Sequence, residues 1–416
     1  MRYRCILLLS LAAALLVPLR AAAQNAYVWT AVSNEQLYSD MLDQLSEFRG
    51  EFVGEPLYYM TQDLAVELRA AHRKDSYIWM TQVHNFCNRL EAMYPPSLSH
   101  PAVSKAQEDR YDRIRRRITL LRDYPMHEVT YDYETPAPES GQADAFTAAN
   151  RQWLQYKREE FFRFLREPRP AGDELQVAKL YSSGVVLRTR DACIGIDICY
   201  GEGLYDGRYK EELADLLDVL YVTHAHGDHY DLELFRMMLQ RGKPVVGPAT
   251  MARHFTGVEG EKHFWDADHL EPERIGGVAT TQAVMSGQGD DTPCLLYLIQ
   301  IGKWRIVHVG DNSHHENEAR IYPLYPMADV VFAPIFQGII NLFANTMTAP
   351  NPDGIQQIYV NIHENEWHHE IHGRISYNYF YNEGNALNNA NALSTGTPPY
   401  PLVTVLDNGE HITLYK

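Results

Sequence analysis

The stretch Thr223-His224-Ala225-His226-Gly227-Asp228-His229-Tyr230-Asp231 decides how this chain is read. It follows the apolar run Val219-Leu220-Tyr221-Val222, which reads as a buried strand, and precedes 232–239, where apolar residues recur at helical spacing. Residues two apart in an extended segment project to one side, so His224 and His226 can pinch one ion between them. Asp228 and His229 lie where the chain turns into the helix and can aim at a second ion. Neutral imidazole and carboxylate are the ligands expected of Zn, with Mn or Fe as alternatives. A single histidine is usually a surface or structural residue. Four ligand-type residues within six positions, at a strand end, favour a metal site over a solvated His-rich loop.

The pattern His224-x-His226-x-Asp228-His229 resembles the signature of the metallo-β-lactamase-fold hydrolases. The trailing Tyr230-Asp231 is similar to the branch that includes ascorbate-6-phosphate lactonase and N-acyl-phosphatidylethanolamine phospholipase D. The resemblance covers residues 176–416 and implies an α/β fold, a four-layer αββα sandwich with its metals on the edge loops. Val307-His308-Val309-Gly310-Asp311 resembles the family's Gly-Asp motif, whose carboxylate, here Asp311, bridges both metals. Ile358–His363 resembles the strand that ends in the family's last ligand, here His363, with His369 and His372 as alternatives. Asp197 resembles the early strand-end Asp that orients the metal loop, and Asp231 is expected to share that supporting work.

One family ligand is missing. The strand expected to end in a histidine reads Ala279 to Gly289, with Met285 or Ser286 near the position and no His. Asp228, His229, Asp311 and His363 would still complete one site. His224, His226 and Asp311 would leave the other with three protein ligands, to be completed by Gln288, Asp290 or water. The expectation is one tight and one labile divalent ion, with Asp228 and Asp311 as the catalytic carboxylates.

Composition sets the compartment and the partners. With 416 residues, 45% hydrophobic and 22% charged, the chain has ample core for two domains. Residues 1–23 stand apart: Arg2 and Arg4, an apolar run, then Ala21-Ala22-Ala23. They read as a secretory signal peptide rather than a membrane anchor, leaving no transmembrane segment in the mature chain and a secreted or periplasmic protein. The net charge is −17, and loss of residues 1–23 removes three arginines and no acid. Such a field disfavours nucleic acid and anionic membrane and leaves a small-molecule substrate as the expected partner. Oligomeric state is not readable. Cys87, Cys193, Cys199 and Cys294 lie in or beside apolar sequence and read as buried thiols, with one or two disulfides as the alternative.

Residues 24–170 are expected to form an all-α N-terminal domain, with helical periodicity over 35–48, 61–72, 77–93, 105–122 and 144–165. Phe161, Phe162, Phe164 and Leu165 end it on an aromatic face that suits core packing or a lid. After the Pro-rich linker 167–172 the pattern changes to short strands over 171–416. Asp407-Asn408-Gly409 predicts a closing hairpin between 402–406 and 411–415.

The expected activity is metal-dependent hydrolysis of an ester, lactone, amide or phosphodiester by a metal-activated water. His314, His315, His368, His369 and Tyr377 are candidate helpers. A catalytically degenerate binding protein is the second reading, motivated by the absent His. Iron redox chemistry is the third, with no flavin-type Gly-rich motif to support it.

Overall fold

A computed structural model of the chain describes residues 34–54, 56–72, 158–199, 207–268, 271–287, 292–311, 328–334, 357–363, 402–404 and 408–415, with isolated positions between them. The chain divides into two compact units. One comprises Met1–His84, Leu121–Ala149 and His368–Arg374; the other comprises Asn85–Leu120, Asn150–Trp367 and Ile375–Lys416.

In the first unit, α1 (Asn34–Glu51) and α2 (Pro56–His72) form a helical hairpin. Met41, Leu45, Phe48 and Phe52 recur at three- and four-residue spacing and are buried, as are Leu57, Leu64 and Leu68. Gly54, at φ +83°, takes the turn, and Pro56 opens α2 where its missing N–H has no helical partner to lose. Both helices run longer than their periodicity predicts. Most of 73–157 lies outside the described residues, as does the whole of 1–33 with the expected signal peptide. No helix among the described residues is long and apolar enough to cross a membrane.

The second unit is built on two seven-stranded sheets. Sheet one contains β1 (Leu175–Tyr181), β2 (Gly184–Arg188), β3 (Cys193–Ile196), β4 (Val219–Tyr221), β5 (Val245–Gly247), β6 (Phe264–Asp266) and β14 (His411–Leu414), in the order β14-β1-β2-β3-β4-β5-β6. Sheet two contains β7 (Glu273–Ile275), β8 (Ala279–Gly287), β9 (Pro293–Ile301), β10 (Trp304–His308), β11 (Val330–Ala333), β12 (Ile358–Asn361) and β13 (Leu402–Thr404), in the order β13-β12-β11-β10-β9-β8-β7. Their facing sides share one apolar core that includes Leu175, Val177, Ile194, Tyr221, Leu295, Tyr297, Ile306 and Val360. Two tyrosines cross it with satisfied hydroxyls. Tyr221 Oη lies 2.6 Å from Thr281 Oγ1, and Tyr297 donates to the Val222 carbonyl at 2.7 Å.

Helices cover sheet one. Residues 158–166 form α3, whose aromatic face packs as core: Phe164 stacks on His411 at 3.9 Å and Phe162 lies 4.7 Å from Tyr209. Buried Arg188 fastens its end, donating to the carbonyls of Phe164 (2.8 Å) and Glu167 (2.6 Å). Beside it, α4 (Gly207–Leu216) packs against α5 (Leu232–Gln240). Lys243 donates to the carbonyls of Ala214, Asp215 and Leu217, satisfying the open end of α4.

The closing hairpin does not form. β13 pairs parallel with β12 in sheet two, and β14 pairs antiparallel with β1 in sheet one. The chain therefore changes sheets through 408–410, where Gly409, at φ +79°, donates to the Lys179 carbonyl and Glu410 accepts from the Lys179 N–H. Turn chemistry favoured a local partner, but the long-range edge of β1 offered β14 a better one. Strands β6 and β7, each three residues, carry too little periodicity to be read from sequence.

Candidate metal centre

Four strand ends converge. β3 and β4 run parallel in sheet one, β10 and β12 run in one direction in sheet two, and each is followed at its C-terminal end by a polar residue of the site. Asp197 follows β3, the His loop follows β4, Asp311 follows β10 and His363 follows β12. The loop is anchored to the opposite sheet, since Leu295 donates its N–H to the Thr223 carbonyl at 2.8 Å.

Asp228, His229, Asp311 and His363 each present one ligand-type atom, and these atoms all lie within 4.8 Å of one another. His363 Nε2 is 3.0 Å from Asp311 Oδ2 and 3.2 Å from Asp228 Oδ2; His229 Nε2 is 3.3 Å from Asp311 Oδ1 and 3.5 Å from Asp228 Oδ2. His224 stands at the rim of this group, its Nε2 3.8 Å from Asp311 Oδ2. His226 lies beside His224, with ring centroids 4.7 Å apart, and its Nε2 is 3.3 Å from Thr292 Oγ1. Among the described residues, the tight ligand group is therefore the four-residue one, and His224 and His226 are not part of it.

Asp197 organises the loop from below. One oxygen accepts the Thr223 N–H at 2.7 Å; the other accepts the Thr223 hydroxyl at 2.8 Å and lies 2.9 Å from His229 Nδ1. Fixing Nδ1 leaves Nε2 of His229 as the atom turned into the cluster. Asp231 has a different job from the one expected of it. Its Oδ1 accepts from the N–H groups of Glu233 and Leu234 as the cap of α5, and its Oδ2 lies 2.9 Å from the Lys210 ammonium. It supports the helix that follows the loop and not an imidazole.

Thr223, His308 and Cys294 also belong to the site, and their sequence positions do not announce it. His308 Nδ1 accepts the Gly310 N–H at 3.3 Å and lies 3.9 Å from Asp197 Oδ2. Cys294 Sγ is 3.9 Å from His224 Nδ1. The only hint was location, one residue before the loop for Thr223 and two before the Gly-Asp turn for His308. Met285 and Ser286 fall on β8, Ser286 opposite Cys294 on β9. Gln288, Asp290, His314, His315, His368, His369, His372 and Tyr377 lie outside the described residues.

Backbone strain collects here. Asp197 (φ +52°) and His363 (φ +67°) are in the left-handed region, and Gly310 (φ +55°) is there too. A Cβ on Gly310 would meet Thr223 Oγ1 at 2.7 Å and Cys294 Sγ at 2.9 Å, so only glycine lets the Asp311 turn approach the loop.

The electrostatics fit a cation. Burial, with His229 nearby, pushes His224 down to about 3, and burial pushes His308 down to about 4. Burial acts the same way on His363, but Asp311 and Asp228 outweigh it and raise that imidazole to about 9. His229 is raised well above its ordinary value, with Asp311, Asp197 and Asp228 overcoming desolvation. Asp228 and Asp311 are held below the usual carboxylate range because the imidazoles outweigh burial. Two buried carboxylates, Asp197 and Asp311, and the half-buried Asp228 among these imidazoles favour positive charge at their centre. His224 Nε2 is fully buried and makes no hydrogen bond, while His229 Nε2 faces the oxygens of Asp311 and Asp228. Two carboxylates, two imidazoles and such lone pairs suit a divalent ion.

Burial pushes the Cys193 thiol up to about 12 and raises the Cys294 thiol as well, which disfavours the thiolate at both.

Residues 176–350 match the family model described as the beta-lactamase superfamily domain. No curated protein matches the chain. Among solved structures, the chain is similar to Igni18, a metallo hydrolase from the archaeon Ignicoccus hospitalis, at 17% identity and a TM-score of 0.44, covering 58% of this chain and 99% of that one. It is similar to the metallo-beta-lactamase fold protein YhfI from Bacillus subtilis at 15% identity and a TM-score of 0.39, covering 58% of this chain and all of that one. It is also similar to CmlA, a diiron beta-hydroxylase from Streptomyces venezuelae, at 13% identity and a TM-score of 0.37, covering 59% and 55% of the two chains. The match covers residues 176–350, and the paired seven-stranded sheets and the His/Asp cluster, which run beyond it to β14 and His363, are consistent with the metallo-β-lactamase fold.

Proposed function

We propose that the protein is an exported metal-dependent hydrolase that cleaves an ester, lactone or phosphodiester bond in a small molecule. The observation that carries the reading is the convergence of Asp228, His229, Asp311 and His363, drawn from three separate strand ends, within 4.8 Å. The tight ion is assigned to these four residues, with zinc as the favoured metal and manganese or iron as alternatives. A labile ion is assigned to His224, His226 and Asp311.

A divalent ion held there supplies Lewis acidity, polarising the bond under attack and making water nucleophilic near neutral pH. The chain's own residues do the rest. Asp197 holds the His229 ring at Nδ1, so that Nε2 faces the cluster. Asp311 turns Oδ1 towards His229 and Oδ2 towards His363, and its two-oxygen head can span two positions. Asp311, as the bridging carboxylate, would also hold the attacking water and take up its proton, with Asp228 as the second carboxylate of the site. Burial of His224, His229 and His363 keeps bulk water from their lone pairs.

Support for the branch comes from the Tyr230-Asp231 resemblance, and support for export from the charged, apolar and small-residue order of residues 1–23. The test is turnover of phosphodiester, lactone and β-lactam substrates by metal-loaded protein and by Asp311→Asn. Turnover lost in the variant bears the proposal out. Silence across the panel with metal bound would favour the second reading, a binding protein on a hydrolase fold.

A further inference from the structure

A lysine lies fully buried where sheet one faces sheet two. Lys179 continues the inward-facing series Leu175, Val177 of β1, at the end of that strand nearer the site. The β1–β2 ladder slips between Lys179 and Tyr181, so the strand is re-aimed at this point. The ammonium reaches across to sheet two and donates to the Asn361 carbonyl at 3.2 Å. Asn361 is two residues before His363. The same β1–β2 hairpin meets His363 itself, whose N–H donates to the Ser182 carbonyl at 3.3 Å. Asn361 is held from its other side, its Oδ1 accepting the Leu406 N–H at 2.7 Å.

Burying an ammonium is costly, and an apolar side chain would fill the same core position at no such cost. His363 sits at φ +67°, in the left-handed region, which a residue with a side chain keeps at a cost that its surroundings must meet. Two hydrogen bonds between this hairpin and the end of β12, one given at Asn361 and one received from His363, supply that constraint on either side of Ile362. We infer that Lys179 is a positioning residue for the metal ligand His363, acting through the Asn361 carbonyl to hold the end of β12 in its strained, ligand-presenting form. The inference rests on the reading of His363 as a ligand.

The test compares Lys179→Met with Val177→Ala, a core variant on the same strand that leaves the clamp intact. Affinity for zinc is measured by chelator competition, and the environment of Co2+ by its visible absorption, both well below the melting temperature. Lys179→Met is expected to weaken zinc binding at least about tenfold and to alter the Co2+ spectrum, as supporting residues of metal ligands do. Val177→Ala is expected to lower the melting temperature and leave both unchanged. Wild-type affinity and spectrum in Lys179→Met would overturn the inference. If His363→Ala also binds zinc like the wild type, the ligand reading falls instead. Should Lys179→Met not fold, wild-type protein labelled with 15N-lysine decides. One slowly exchanging ammonium signal that shifts on zinc loading is expected, and none, or one indifferent to zinc, overturns it.

Discussion

Asp197 Oδ2 lies 2.9 Å from His229 Nδ1, and both side chains are fully buried. The carboxylate also ties down Thr223 twice, so one residue of sheet one sets both the ring orientation and the backbone of the His loop. Asp197→Ala should therefore lower metal affinity about 10–100-fold while the ligands themselves stay in place. Isothermal titration with zinc measures it, and an unchanged dissociation constant would remove Asp197 from the site.

The geometry ranks the ligands. His363→Ala breaks the four-residue group and should weaken the tight ion by more than a supporting residue does, whereas His226→Ala should retain it. Metal analysis of freshly purified and of dialysed protein distinguishes the two. Two firmly retained ions per wild-type chain would contradict the assignment of a labile second position.

Metal uptake should depend on pH in a definite direction. His363 is raised to about 9 in the folded protein, above the roughly 6.5 of an unfolded chain. In metal-free protein its contribution to stability is thus fully present below about pH 6.5 and lost as pH rises through about 9. Metal needs the neutral ring, so apparent affinity should climb over that same window and protons should be released on binding. Zinc titrations from pH 6 to 9.5 in weak buffer, with an indicator, test this; pH-independent affinity would refute it.

Gly310→Ala should be costly. The new methyl group would sit 2.7 Å from Thr223 Oγ1 and 2.9 Å from Cys294 Sγ, on a backbone at φ +55°. Overpacking and strain together suggest a loss of roughly 2–5 kcal/mol. Urea denaturation measures it, and a loss below about 1 kcal/mol would show that the Asp311 turn relaxes more easily than the packing implies.

Asp231 separates capping from charge. Asp231→Asn keeps an oxygen for the N–H groups of Glu233 and Leu234 but weakens the pair with buried Lys210. Asp231→Ala removes both and should destabilise by about 1 kcal/mol more than the Asn variant. Neither should change the metal stoichiometry, because Asp231 touches no imidazole of the cluster.

What the chain carries locally was legible in its order of residues. The apolar run into Thr223–Asp231, the helical spacing after it and the Gly-Asp turn at 310–311 are short-range patterns, and each lies where periodicity and turn chemistry put it. A strand followed by ligand-type residues needs only its own neighbours to be recognised. Which ligands share an ion was not local. His224 and His226 are two apart on one face, yet the close group joins Asp228 and His229 to residues more than 80 and 130 positions away. That grouping depends on how the ends of β4, β10 and β12 face each other across the core. The same holds for β13 and β14, which an Asn-Gly turn would pair and the sheet edges separate, and for Lys179, which looks like any strand lysine until sheet two closes over it. Hydrogen bonds and strain between distant segments exist only once the two sheets are packed, so tertiary structure alone decided them.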